Sequence, residues 1–122
     1  MSLSKGKAIT SWVLQVLLAL LFVAASAGKL TSNAAVVEMF AGWGYPASFM
    51  LLIGALELLG AIGLLVPRTS GYAAMGLIGL MIGAAITHLA NGEGLQVLRP
   101  ILFAVPLAAI VLIRRPWPLK AG

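Results

Sequence analysis

The stretch Ser48–Val66 is an apolar run interrupted by one charge, Glu57, at its midpoint. About 20 residues at ~1.5 Å each span the ~30 Å hydrocarbon layer, so the run is long enough to cross a bilayer as a helix. A carboxylate at that depth costs roughly 2.5–3.5 kcal/mol on insertion scales. It is kept only where it faces a protein interior, a partner or water. That requirement limits the folds open to the chain, because Glu57 must point into a bundle of spans.

The rest of the chain has the same character. Hydrophobic residues make up 61% of it and charged residues 9%, where a soluble domain has about 25% charged. So few polar side chains cannot cover a soluble core, and lipid must be the solvent. The chain reads as one integral membrane domain, residues 1–122, all-α. Its net charge of +5 does not indicate nucleic acid, because the basic residues stand at the ends of apolar runs. With no cysteine, it has no disulfide, no thiolate-held cluster and no Cys-x-x-Cys-His attachment for covalent haem.

Four spans are expected: Ala8–Gly28, Ser48–Val66, Tyr72–Ala90 and Gln96–Ile113. Each must be helical, since a lone segment in lipid has to satisfy its own backbone hydrogen bonds. Pro67–Gly71 and Asn91–Gly94 are short breaks that make neighbouring spans antiparallel. In the longer first linker, Ala34–Ala41 reads as a short interfacial helix capped by Ser32 or Asn33, followed by a turn at Gly42–Pro46. Lys5, Lys7, Arg68, Arg114, Arg115 and Lys120 lie on one side, and only Lys29 and Arg99 on the other. The positive-inside bias places both termini in the cytoplasm. Trp12, Tyr72 and Trp117 would form the inner aromatic belt, Trp43 and Tyr45 the outer one. Lys5, Lys7 and Ala25-Ser26-Ala27 imitate a signal peptide, but the apolar run exceeds the 7–15 residues of a signal core, so retention is expected.

At 100° per residue, Ser11, Gln15, Ser26 and Lys29 share one stripe of the first span. An interhelical hydrogen-bonded seam explains Gln15 and Ser26 more simply than chemistry does, although both could support a nearby site. Gly54, Glu57, Gly60 and Ala61 share a face of the second span. On the third, Gly79-x-x-x-Gly83 reads as a close-packing pair and a route to a homo-oligomer. Pro106 is expected to kink the fourth span. Lys29, His88 and Arg99 gather at the outer helix ends, with Glu57 about 15 Å below the outer edge by helix rise. A lysine reaches about 6 Å, so pairing with Glu57 would need helix tilt or an open vestibule. These residues suggest a polar cavity with Glu57 at its floor and Glu57, His88, Lys29 and Arg99 as ligand-binding or proton-handling groups. The structural alternative is a Lys29–Glu57 pair that only locks helices together. Glu38 and Glu93 read as solvated loop charges. A metal site is not expected, because Glu57 and His88 differ in depth and no third ligand lies at workable spacing.

Phe22…Gly28-Lys29-Leu30, then Phe40-x-x-x-Gly44-x-Pro46, resembles the DoxX-like family of small bacterial membrane proteins. Gly54-x-x-Glu57-x-x-Gly60 running to Leu64-Leu65-Val66-Pro67-Arg68, and Met81-x-x-Ala84-x-x-x-His88, extend the resemblance over roughly residues 15–90. The resemblance implies a four-helix membrane bundle and a link to quinol oxidation or thiosulfate:quinone oxidoreduction. It transfers no catalytic mechanism.

Three functional classes follow. The first is an accessory subunit of a membrane redox system that binds a quinone, with the electron donor on a partner protein, since one histidine cannot supply bis-histidine haem. The second is a small proton-coupled transporter dependent on Glu57. The third is a non-catalytic assembly factor or scaffold for another membrane protein.

Overall fold

The computed structural model describes residues 4–115. They form helices α1 (Lys5–Leu30), α2 (Ala34–Gly42), α3 (Ala47–Leu64), α4 (Ser70–Ala90) and α5 (Leu98–Arg114), with a 3-10 turn at Gly94–Val97 before α5. Four segments are long and apolar enough to cross a membrane: α1, α3, α4, and the 3-10 turn continued by α5. The spans match the expected ones within a few residues, and α5 runs on through Pro106. Trp117 and Lys120, assigned above to the inner side, lie outside the described residues.

Local chemistry sets the boundaries. Ser4 accepts the Lys7 N–H at 3.3 Å to start α1. Thr31 ends it by donating its hydroxyl to the Ala27 carbonyl at 2.6 Å. Of the two cap candidates for α2, Asn33 is the one used, accepting the Ala35 N–H at 3.0 Å. Ser32 instead takes the left-handed backbone, φ 54°, that turns the chain.

A core of Leu18, Phe22, Leu77, Leu107 and Ile110 joins α1, α4 and α5, with the Phe22 and Phe103 rings 5.5 Å apart. The large apolar side chains left exposed on the spans, among them Leu20, Leu59, Ile82 and Val105, are the surface that a bilayer covers.

The glycines of α3 pack closely, as the small-residue face around Glu57 suggests, whereas Gly76, Gly79 and Gly83 of α4 do not. Close packing falls to Gly54, Gly60 and Gly63, where an added Cβ would come within 2.9 Å of Lys29 Cβ, 2.6 Å of Leu77 Cδ2 and 2.9 Å of Ala73 Cβ respectively. Gly76, Gly79 and Gly83 meet nothing within 4 Å at that position. The Gly79-x-x-x-Gly83 pair is therefore no seam among the described residues. The face of α4 that touches α3 closely lies nearer Ala73 and Leu77.

At the terminal end of the bundle, Gln15 is fully buried and donates to the Leu64 carbonyl at 2.6 Å. Arg114 donates from Nε to Ser11 Oγ at 3.1 Å and to Gln15 Oε1 at 3.0 Å, and its guanidinium lies 5.5 Å from the Trp12 ring centroid. This seam ties the first half of α1 to the C-terminal ends of α3 and α5. Ser26 does not join it, because its hydroxyl bonds locally to the Val23 carbonyl at 2.8 Å.

Candidate functional site

Glu57 is 4% exposed, and its Oε1 lies 2.8 Å from Lys29 Nζ. The two groups meet at ion-pair distance but off the hydrogen-bonding axis, so Glu57 Oε1 makes a charge contact and no well-formed hydrogen bond. Lys29 Nζ also donates to the Ala25 carbonyl at 3.4 Å. The pair needs no long reach across the bundle. The close approach at Gly54 sets Lys29 level with that residue, and only three residues of helix, about 4.5 Å of rise, separate Gly54 from Glu57. The depth estimate from sequence assumed that the helix ends are level. Instead α3 rises past the end of α1, and α2 with its following turn fills the step.

A cavity of about 360 Å³ adjoins the pair, and Lys29, Glu57, His88 and Arg99 all line it. Its other walls are apolar, with Phe22 from α1, Phe103 from α5, and Gly79 and Gly83 from α4. The roof is a chain of aromatic rings: Phe40–Trp43 at 5.2 Å, Trp43–Tyr45 at 6.4 Å and Tyr45–Phe49 at 4.9 Å between centroids. Trp43 and Tyr45, assigned above to an outer aromatic belt, are half-buried and turned onto the cavity. Gln15 and Ser26 are not part of it.

Two polar contacts hold the roof to α4. Trp43 Nε1 donates to Glu93 Oε1 at 3.1 Å, and His88 Nδ1 lies 2.8 Å from the same oxygen. The Thr87 hydroxyl proton goes to the Gly83 carbonyl at 2.9 Å. Tyr45 O–H is therefore the donor in its 2.8 Å contact with Thr87 Oγ1. Glu93 is thus no free loop charge. The Glu93 N–H donates to the His88 carbonyl at 2.8 Å across Gly92, whose φ is 71°. This Schellman-type end folds the chain back on α4, and Asn91-Gly92 was its signal in the sequence.

The His88 hydrogen bond holds the Glu93 carboxyl below its ordinary value of 4.5; desolvation opposes it, and the Trp43 N–H adds a smaller lowering. A carboxyl with a depressed folded pKa contributes stability that is complete above its unfolded value and disappears as pH falls through the folded one. Acidification from pH 6 to pH 3 is therefore expected to red-shift Trp43 emission as the roof loosens, read in a Trp12→Phe, Trp117→Phe background. The shift should be missing in Glu93→Gln. An identical shift in that variant would show that Glu93 is not the titrating group.

A family model described as the DoxX-like family matches residues 13–111, a stretch that contains every residue lining the cavity. No curated protein and no solved structure matches the chain.

Proposed function

The chain belongs to the DoxX-like family, and from that starting point we propose that it is an accessory subunit of a quinone-linked redox system in a bacterial inner membrane. The observation that carries this reading is a covered Lys29–Glu57 pair on the wall of a mainly apolar, aromatic-roofed cavity that His88 and Arg99 also line. Small-molecule sites commonly have this form, at about 300–1,000 Å³ with a few fixed polar groups. Several lining residues, including Leu21, Gly79 and Gly83, are exposed on the spans, so the cavity meets hydrocarbon sideways. That suits a lipid-soluble ring.

A quinone supplies reversible two-electron, two-proton chemistry when bound. The residues of this chain would hold and orient it. Lys29 can donate to a ring carbonyl while Glu57 fixes the ammonium in place, and His88, anchored on Glu93, stands at the other polar position. The aromatic roof excludes water. The electron donor would come from a partner protein.

Native mass spectrometry of protein released from its own membranes tests this, wild type beside Glu57→Gln. A mass matching a quinone is expected on wild type and absent from the variant. Protein empty in both forms would overturn the reading. A second reading, a scaffold whose pair only locks α1 to α3, is favoured by the contact of Lys29 Cβ against Gly54. It expects the same partner subunit on both forms. The charge bias further supports cytoplasmic chain ends. A C-terminal green fluorescent protein fusion should then be bright and an alkaline phosphatase fusion inactive, and the reverse pattern would invert the topology.

A further inference from the structure

The charges that line the cavity do not cancel. Lys29 is matched by Glu57, while Glu93, which does not line the cavity, bonds the His88 ring and the Trp43 N–H. Arg99, which also lines the cavity, has no ion pair or hydrogen bond to any described residue. A guanidinium does not lose its proton in proteins, so the charge of Arg99 is permanent. Arg99 is exposed in the first turn of α5, and at the mouth of an apolar space a fixed cation attracts an anion more strongly than it would in open water. It repels a cation and offers little to a neutral head group. The planar fork of Arg99 also matches carboxylate and phosphate oxygens in pairs.

The opposite wall accommodates a chain. At Gly79 and Gly83 no side chain stands between the cavity and the surface of α4, and added Cβ atoms there would meet nothing. An alkyl tail can leave the cavity by that route into the bilayer.

We infer that the cavity takes an amphiphile with a single anionic head group, seated on Arg99 with its tail passing Gly79 and Gly83. The inference rests on the reading of this cavity as a ligand site and adds a second ligand class. Both ligands would use the same walls of the cavity, so the anionic amphiphile is expected to compete with the quinone. The shared chemistry has two sources, a free fatty carboxylate or the phosphate of a bilayer phospholipid.

Quenching of Trp43 by bromine tests it, in the Trp12→Phe, Trp117→Phe background and an uncharged maltoside detergent. The probes are 11-bromoundecanoate, 11-bromoundecanol, the corresponding bromoundecyl trimethylammonium, and phosphatidylglycerol with brominated chains. An anion is expected to quench at about tenfold lower concentration than the alcohol, with the cation weakest, and a short-chain quinone should displace it. Quenching by bromoundecanoate identifies a carboxylate ligand, and quenching by phosphatidylglycerol alone identifies a bilayer phosphate. Arg99→Gln should abolish the advantage of the anion, and Arg99→Lys, which keeps the charge, should retain most of it. Equal potency of anion and alcohol, or an advantage that survives Arg99→Gln, overturns the inference. If the quinone still binds in that case, the cavity remains a ligand site and only the anionic class is lost. If no probe and no quinone reaches Trp43, both readings fail.

Discussion

Lys29→Ala is expected to destabilise the bundle by about 3–5 kcal/mol, the usual cost of leaving a buried partner unpaired. Both side chains are well covered, Lys29 at 16% exposed and Glu57 at 5%, so solvent screens the pair little. Neighbouring hydrogen bonds cannot take over, because Glu57 Oε1 forms none. The double variant Lys29→Met, Glu57→Met should behave quite differently. Replacing a buried pair with apolar side chains of similar volume is often neutral or stabilising by about 1–4 kcal/mol. Unfolding in mixed detergent micelles measures both variants. A double variant that unfolds as readily as Lys29→Ala would mean that the pair itself holds α1 against α3. A stable double variant that no longer binds quinone would mean that the chain tolerates a costly pair for the sake of a ligand.

The second large effect separates the two classes of glycine. Gly54→Val is expected to cost about 1–3 kcal/mol or more, the range for overpacking a filled site. The obstructing atom is Lys29 Cβ, which is tied to the backbone and cannot swing aside. Helix α1 would have to move, and the ion pair with it. Gly83→Leu should change stability by no more than about 0.5 kcal/mol, as for a surface substitution, since an added Cβ there meets open space. Yet Gly83 lines the cavity, so if the proposed quinone site is right the same variant should weaken quinone binding about tenfold or more by narrowing the lateral opening. Thermal unfolding combined with a binding titration gives both numbers. A Gly83→Leu protein that melts early would return Gly83 to the packing class, and one that binds normally would move the opening elsewhere.

Hydropathy and charge determine much of this molecule without any coordinates. A run such as Ser48–Val66 has one low-energy state in lipid, a spanning helix, because its backbone can find no other hydrogen-bond partners there. Four such runs with short polar breaks define the bundle and its antiparallel order. The few ionisable groups within or beside the spans then stand out as candidates, since hydrocarbon tolerates them poorly. Lys29, Glu57, His88 and Arg99 were identified by that cost alone, and the structure brings all four to one cavity.

What hydropathy does not contain is the offset between helices. It measures how much chain fits across a membrane, not how far one helix slides past the next. That slide is decided where small residues let backbones touch, at Gly54, Gly60 and Gly63, and it lowers Lys29 to within a turn of Glu57. Rotation is undetermined in the same way. Gly79-x-x-x-Gly83 has the spacing of a packing pair, but α4 presents Ala73 and Leu77 for close contact and leaves that pair open. Glu93 looked like a loop charge until the turn at Gly92 returned it to His88 and Trp43. Spans and candidate charges follow from transfer energies of single residues, which a sequence records. Partners follow from the relative shift and rotation of helices, which only the packed bundle decides.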